Sequence, residues 1–218
     1  MSILLFLILF FWAGHLSAEP LLTLNFENDE VGKFLSGWSS RDPNNMVRVY
    51  SIQIDNGNKF VHADARGLSI QIGLEKKWEL REFPIFRWRW RAQKFPEGTN
   101  EQKKVGNDSV LGIYVGFGGW LDPHAIKYIW SDTLPVEIIF DSPHSSKTKV
   151  IVVRSGRSQM GQWIMEERNL LTDYKKIFIA HEKPSLARGI GLLTDSDNTN
   201  SWAIGDYDDI TILDTGGK

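Results

Sequence analysis

Arginine and aromatic residues alternate in residues 86–91, which carry the most suggestive chemistry in the sequence. Side chains of a β-strand point alternately to its two faces. A strand here buries an aromatic face in a core and presents an arginine face, formed by Arg87, Arg89 and Arg91. Guanidinium groups match carboxylates and sugar hydroxyls with paired hydrogen bonds. The pattern predicts either a site for an acidic or hydroxyl-rich ligand or a solvated face with cross-strand Asp and Glu partners.

Carboxylates stand near both ends of the sequence, where Glu27 follows the first strand-like stretch and Asp208-Asp209 lie in the last one. Chain termini often lie close together. If the two stretches pair, three carboxylates meet and repel one another unless they are protonated or bridged by a cation. Calcium binds such oxygen ligands. We therefore predict a structural calcium held by Glu27, Asp208 and Asp209, with acids facing water as the alternative.

The loops carry further polar groups that could contact a ligand. Residues 195–199 alternate oxygen-bearing side chains, but Asn200 stands where an EF-hand loop needs glycine, so an Asx-rich turn is favoured. Residues 116–119 lead into a hairpin loop with an aromatic tip. The candidate ligand-binding residues outside the arginine face are Asp108, Trp120, Asp195 and Asp197.

The sequence contains no recognisable catalytic motif: a nucleophile elbow, a His-Glu-x-x-His zinc motif and a phosphate-binding glycine loop are all missing. Sugars stack on aromatic rings and hydrogen-bond to Arg, Asn and Asp. A carbohydrate- or envelope-polysaccharide-binding protein is therefore the first hypothesis. On this hypothesis, Arg89→Ala should weaken glycan binding without unfolding the protein. One alternative is an envelope scaffold. The other is a glycoside hydrolase or lyase-like enzyme that uses loop carboxylates, for which the candidates are Asp108, Asp132, Glu166, Asp195 and Asp197. The positions of four indoles should separate these alternatives. Indoles along one exposed groove favour glycan binding, a deep pocket with paired acids favours an enzyme, and full burial favours a scaffold. The four are Trp38, Trp120, Trp163 and Trp202.

The elements that must position these residues are short apolar-alternating stretches separated by Gly, Asn, Asp and Pro, which is typical of strands. About a dozen such stretches predict an all-β fold, a two-sheet antiparallel sandwich of jelly-roll type. One of them covers residues 47–54. The one helix predicted covers residues 172–179, with Thr172 as its N-cap.

The N-terminus has an unbroken apolar run at residues 3–12, followed by small and polar residues, which is typical of a signal peptide. We predict cleavage after Ala18, leaving residues 19–218 as a single sandwich domain that is exported to the periplasm or beyond. The run is too short for a transmembrane helix, so no stable membrane span is expected after cleavage. The lack of Lys or Arg in the leader leaves an uncleaved anchor as the alternative.

The amino-acid composition further limits the classes of partner that the protein could bind. The 25 basic and 27 acidic residues give a net charge of −2, too close to neutral for a protein that grips nucleic-acid phosphates. The absence of cysteine excludes disulfides, thiolate metal sites and a cysteine nucleophile. Nucleic acid is therefore not expected as a partner, whereas a polysaccharide or other glycan is.

Taken together, these motifs resemble a bacterial family of unknown function, family 3047, whose members are mostly secreted. The likeness lies in Phe86-Arg87-Trp88-Arg89-Trp90, in Lys104-Val105-Gly106-Asn107-Asp108-Ser109 with Gly112-Ile113-Tyr114-Val115, in Ile126-Lys127-Tyr128-Ile129-Trp130, in Trp163 with Arg168-Asn169 and Asp173-Tyr174, and in Ile190-Gly191 with Thr194-Asp195-Ser196-Asp197-Asn198-Thr199. The resemblance implies an exported protein and implies no activity.

The two ends of the domain are locally similar to jelly-roll carbohydrate-binding modules, through Phe26-Glu27 and Asp208-Asp209-Ile210. In those modules a structural calcium ties the terminal strands. The likeness implies Glu27 and Asp209 as the better-placed ligands and Asp208 as the alternate, because neighbours on a strand face opposite sides.

Overall fold

Alternating apolar residues build two six-stranded sheets that pack face to face in a computed structural model, which describes residues 20–119, 121–179 and 186–216. The proposed leader, residues 1–18, and Trp120 lie outside these ranges. The fold is a β-sandwich of jelly-roll type, as predicted. No helix of the described ranges has both the length and the apolar character needed to span a membrane.

The first sheet has a strand order that does not follow the sequence. It runs through β10 (Ile164–Asn169), β5 (Ile85–Lys94), β12 (Trp202–Leu213), β3 (Asn58–Arg66) and β2 (Tyr50–Asp55), with β1 (Pro20–Leu24) paired to β12. Leu24 pairs with Ile210. The expected pairing of the first and last strands is therefore confirmed.

The second sheet covers the other side of the core. Its order is β4 (Ile72–Trp78), β11 (Ala187–Leu193), β6 (Leu111–Phe117), β7 (His124–Ser131), β9 (Ser145–Ser155) and β8 (Ile139–Ser142). Strands β7 and β9 run parallel, whereas the other neighbouring strands of both sheets are antiparallel.

The described residues contain two short helices, so the prediction of one was wrong. Helix α1 (Pro43–Val49) begins at the N-cap Asp42, whose carboxylate accepts a hydrogen bond from the Asn45 amide at 3.1 Å. Proline in the first turn costs no hydrogen bond. This start signal places Val47 and the two residues after it in a helix, where the sequence analysis placed a strand.

Helix α2 (Leu170–Ile177) starts two residues before the predicted helix. Its N-cap is Asn169, whose side-chain oxygen accepts a hydrogen bond from the Thr172 amide at 2.9 Å. Thr172 therefore lies inside the first turn and is not the cap.

The aromatic face of β5 forms the centre of the core. Phe86, Trp88 and Trp90 are fully buried, as predicted. The Trp88 ring lies 5.3 Å from that of Tyr128, and Trp90 lies 6.2 Å from Trp130, both on the second sheet. The opposite side of β5 consequently faces away from the core, on the outer surface of the first sheet.

Candidate functional site

Arg89 lies in the middle of the arginine face and makes polar contacts with three side chains. Its Nη2 atom donates hydrogen bonds to Asp208 at 2.6 Å and to Asn58 at 2.5 Å. Its Nε atom lies 2.9 Å from Asp209, an ion pair without hydrogen-bond geometry. Asp208 is fully buried; this burial raises the pKa of its carboxyl, and the hydrogen bonds from Asn58 and Arg89 oppose the shift. Arg89 thus compensates the charge of two consecutive carboxylates.

A β-bulge makes this double contact possible. The register between β12 and β5 shifts between Asp208 and Thr211, and Asp209 has a φ of 47°, in the left-handed region. Regular alternation would send Asp208 and Asp209 to opposite faces. The bulge brings both carboxylates to Arg89, so the assumption that ranked Asp209 above Asp208 does not hold here.

The other two arginines of the arginine face also have carboxylate partners. Arg87 donates to Glu167 at 2.9 Å, and Arg91 donates to the buried Asp206 at 2.7 Å. Asp206 also lies 2.7 Å from Nδ1 of His62. These contacts match the alternative in which the arginine face has cross-strand Asp and Glu partners. Ligand binding by the arginine face stays a prediction.

The described indoles do not line a common groove. Trp163 is partly exposed above the arginine face, with two guanidinium groups 4.9 and 4.7 Å from its ring centroid. Trp202 lies elsewhere, under Arg66, and Trp38 is buried in the core. Trp120 lies outside the described residues. The positions of the described indoles therefore do not discriminate between a glycan-binding protein, an enzyme and a scaffold.

Two of the predicted ligand residues instead join a pair of loops, which we call the clasp (residues 106–110 and 194–200). The carboxylate of Asp108 accepts hydrogen bonds from the amides of Asn198 at 3.1 Å and Thr199 at 2.8 Å. In return, the carboxylate of Asp195 accepts one from the Ser109 amide at 2.5 Å. Asp108 and Asp195 are both buried and hold the clasp together. Ligand binding by either residue stays a prediction.

A buried lysine lies beside the clasp. The ammonium group of Lys127 donates to Ser109 Oγ at 3.2 Å. Burial by itself lowers the pKa of Lys127, but Tyr114, Asp195 and Glu101 raise it above its ordinary value. Burial also raises the pKa of Asp195 to about 6, and Lys127 opposes that shift. The clasp thus contains a titratable carboxyl at its centre.

The remaining candidate acids from the sequence either form ion pairs or lie apart from one another. Asp132 pairs with Arg157 at 2.6 Å, and Glu166 pairs with Arg154 at 2.5 Å. Asp197 is exposed and accepts a hydrogen bond from the next side chain along the chain. These loop carboxylates do not converge on one described cavity.

The predicted calcium ligands lie near one another but are occupied by other groups. Glu27 accepts a hydrogen bond from the Lys59 amide at 2.9 Å, next to the Asn58 that contacts Asp208. Within residues 20–119, 121–179 and 186–216, no group of three or more His, Cys, Asp or Glu side chains is arranged to hold a metal ion. The calcium site stays a prediction.

The outer face of the second sheet carries a feature that the sequence analysis missed, which we call the trough. Inward residues of β6 and β11, such as Val115 and Ile190, belong to the core. The glycines that alternate with such residues along each strand therefore face outward. The pairing aligns Gly73 with Gly191, and Gly189 with Gly116. The floor of the trough therefore consists largely of backbone.

Close packing against backbone requires Gly189, Gly191 is crowded by a flexible side chain, and Gly116 leaves open space. A Cβ on Gly189 would lie 2.6 Å from the Leu74 carbonyl oxygen, and one on Gly191 would lie 2.9 Å from the Gln71 side chain. A Cβ on Gly116 would meet no atom within 4 Å. The space above Gly116 is consequently available to a ligand.

The trough extends as three connected cavities. A cavity of about 560 Å³, lined by residues 39–42 and 69–73, shares Ser39, Gln71 and Gly73 with a middle cavity of about 310 Å³. The middle cavity shares Gly116 and Arg188 with a third cavity of about 360 Å³. This continuity gives the trough the form of an extended groove.

Few side chains project into the middle of the trough. Tyr114 is its partly exposed aromatic residue, and Glu75, Gln71 and Arg188 supply polar groups. Such a lining offers a stacking surface together with donors and acceptors. In the sequence, the signal was glycine at every second position between buried residues, as in Gly189-Ile-Gly191.

Comparison with known proteins places the chain in context. A family model described as "Protein of unknown function (DUF3047)" matches residues 36–211. A comparison with curated proteins finds no match.

Among solved structures, a carbohydrate-binding module of family 28, specific for non-crystalline cellulose, is similar at 11% identity and a TM-score of 0.45, covering 89% of this chain and 94% of its own. TmCBM61 in complex with β-1,4-galactotriose has 14% identity and a TM-score of 0.37, covering 87% and 94%. The xyloglucanase domain of NopAA from Sinorhizobium fredii, in complex with cellobiose, has 7% identity and a TM-score of 0.42, covering 90% and 100%. The likeness concerns the sandwich fold and decides nothing about a ligand.

Proposed function

This chain belongs to the DUF3047 family, whose description assigns no function, and we propose from its geometry that it binds an extended glycan in the trough. The observation that carries the proposal is the run of connected cavities over a glycine floor. A polymer lying in such a groove contacts the backbone of several strands at once.

The lining of the trough suits sugars. Tyr114 offers an aromatic surface to the apolar face of a sugar ring, while Gln71 and Glu75 offer a donor and acceptors to hydroxyl groups. The outer face of the first sheet offers less, since each arginine there is already bonded to a carboxylate. The trough is therefore the better candidate site.

Binding without turnover is favoured over hydrolysis. A glycosidase holds two carboxyl groups about 5–9.5 Å apart across the scissile bond. In the described lining of the trough, Glu75 is accompanied by Asp42, whose carboxylate is committed to capping α1. The loop acids of the enzyme hypothesis are bonded within the clasp or to arginines.

The test is to fill the trough. Gly116→Leu places a side chain in open space, so we expect it to weaken glycan binding at least tenfold while leaving the fold intact. Gln53→Leu, at an exposed strand position of the other sheet, is the matched control. Binding is measured by affinity electrophoresis against neutral and acidic polysaccharides, with product release assayed in parallel.

Each result decides between the alternatives. Equal binding by the two variants would remove the trough as the site. Steady product release would replace the binding function with the enzyme alternative. Silence across all polymers would favour a scaffold role in the cell envelope.

The proposal includes export to the periplasm or the extracellular space, supported by the apolar run of residues 3–12. Intact-mass analysis of the exported protein should show a chain that begins at Glu19. A full-length, membrane-embedded chain would instead support the uncleaved anchor.

A further inference from the structure

Arg188 lies at the junction of two cavities of the trough. It is exposed and lines both the middle cavity and the third one. Its Nε atom donates a hydrogen bond of 2.6 Å to the Gly118 carbonyl oxygen. This bond fixes one edge of the guanidinium and leaves the terminal nitrogens available to a ligand.

Arg188 differs from most of the described arginines in its charge environment. Seven of them form ion pairs within 4.0 Å, namely Arg66, Arg87, Arg89, Arg91, Arg154, Arg157 and Arg168. No described carboxylate lies within that distance of Arg188. Among the described residues, nothing therefore compensates its positive charge at the point where a ligand would pass.

The acidic residue in the same part of the trough is Glu75. It lines the middle cavity and pairs in register with Gly189, without an ion pair to Arg188. The lining thus offers a fixed cation and a separate anion. A neutral sugar satisfies Glu75 through its hydroxyls but leaves the arginine charge without a counter-ion when water is displaced. A polyanion without hydroxyl groups, such as polyphosphate, would repel Glu75 and offer it no hydrogen-bond donor.

A uronic acid residue satisfies both groups, because it combines one carboxylate with several hydroxyls. We infer that the trough selects a glycan containing uronic acid and that Arg188 is the residue that determines this specificity. The inference rests on the proposed function. The carboxylate accepts paired hydrogen bonds from the guanidinium of Arg188, and the hydroxyls donate to Glu75.

The experiment compares one polymer with and without its charges. Titration calorimetry of the full chain uses polygalacturonate and the same polymer after its carboxylates have been reduced to primary alcohols. We expect the acidic polymer to bind at least tenfold more tightly, the effect of one charge-assisted contact. Arg188→Gln should remove the difference between the two polymers. Arg81→Gln removes an exposed arginine that forms no described ion pair and lines none of the cavities, and it should keep the difference.

The outcomes separate this inference from the proposed function. Equal affinity of the unmodified protein for the two polymers, or an equal loss for both in Arg188→Gln, would overturn the role of Arg188 while glycan binding stands. Binding of neutral glycans alone would overturn the uronic acid preference in the same way. If Gly116→Leu has no effect on any bound polymer, the trough itself is excluded and the inference fails with it.

Discussion

The outer faces of the two sheets differ in how their charges are paired and in how much space they leave open. On the first sheet, β5 and its neighbours place arginines and carboxylates side by side, and the charges compensate one another. On the second sheet, β4, β11 and β6 align glycines, and few side chains project from that part of the surface. The comparison teaches that a row of charged residues is not by itself a ligand site. Free space and an uncompensated group are better indicators.

The largest expected effect lies beneath the arginine face. Trp88 is fully buried and packs on two aromatic rings of its own strand and one of the second sheet. Trp88→Ala should lower the free energy of unfolding by about 3–5 kcal/mol, measured by denaturant titration. Gly116→Leu, which fills open space on the other sheet, should change it by less than about 1 kcal/mol. Similar losses in the two variants would contradict the division into a structural and an open face.

The arginines of the two faces should respond differently to truncation. Arg89→Ala leaves the buried Asp208 without its guanidinium partner, so it should cost roughly 1–3 kcal/mol of unfolding free energy. The variant should still fold, as expected from the sequence, but with lower stability. Arg188→Ala should stay within about 0.5 kcal/mol of the unmodified protein. Thermal and chemical unfolding of both variants test this; a larger loss for Arg188 would reverse the assignment.

The buried carboxylates offer a pH test of the same contrast. Asp206 and Asp208 face arginines, whereas Asp195 lies buried in the clasp with a pKa raised to about 6. Between the ordinary value of 3.8 and about 6, the folded protein holds a proton that the unfolded chain releases. This proton therefore raises the free energy of unfolding as the pH falls through 6, by about 1.4 kcal/mol between about pH 7.5 and about pH 5.

The measurement is chemical unfolding at the two pH values in the unmodified protein and in Asp195→Asn. The amide keeps an acceptor for the Ser109 amide but has no proton to gain. The variant should lack this increment of stability toward low pH. Identical pH dependence in the two proteins would show that Asp195 titrates normally.

The smallest expected effect concerns the acids at the chain ends. A calcium ion at Glu27, Asp208 and Asp209 would compete with Arg89, which already compensates two of these carboxylates. Its stabilisation should therefore fall below the roughly 2.7 kcal/mol that one site gives at a hundredfold excess of ligand. Chelation should lower the melting temperature slightly, and Glu27→Ala should abolish that difference. Equal melting with and without calcium would contradict the calcium site and leave Arg89 as the group that compensates Asp208 and Asp209.

The sequence predicted features that depend on one strand at a time and missed those that depend on neighbours. Alternation in residues 86–91 correctly assigned the buried indoles, because both faces of one strand are read from its own residues. The bulge at Asp209 and the helix after Asp42 needed local backbone conformations that alternation ignores. The trough depends on β11 lying between β4 and β6, a strand order that sequence spacing does not reveal.

The position of β12 in the first sheet also bears on when the protein folds. This strand pairs with β5, β3 and β1, yet it is the last described strand of the chain. In a growing chain that lacks β12, β1 has no partner and the β10–β5 pair is not joined to the β3–β2 pair, so the first sheet is completed only after β12 has been synthesised. Long-range pairing of this kind folds slowly. The first sheet of a nascent chain thus stays in two separate parts until β12 joins them.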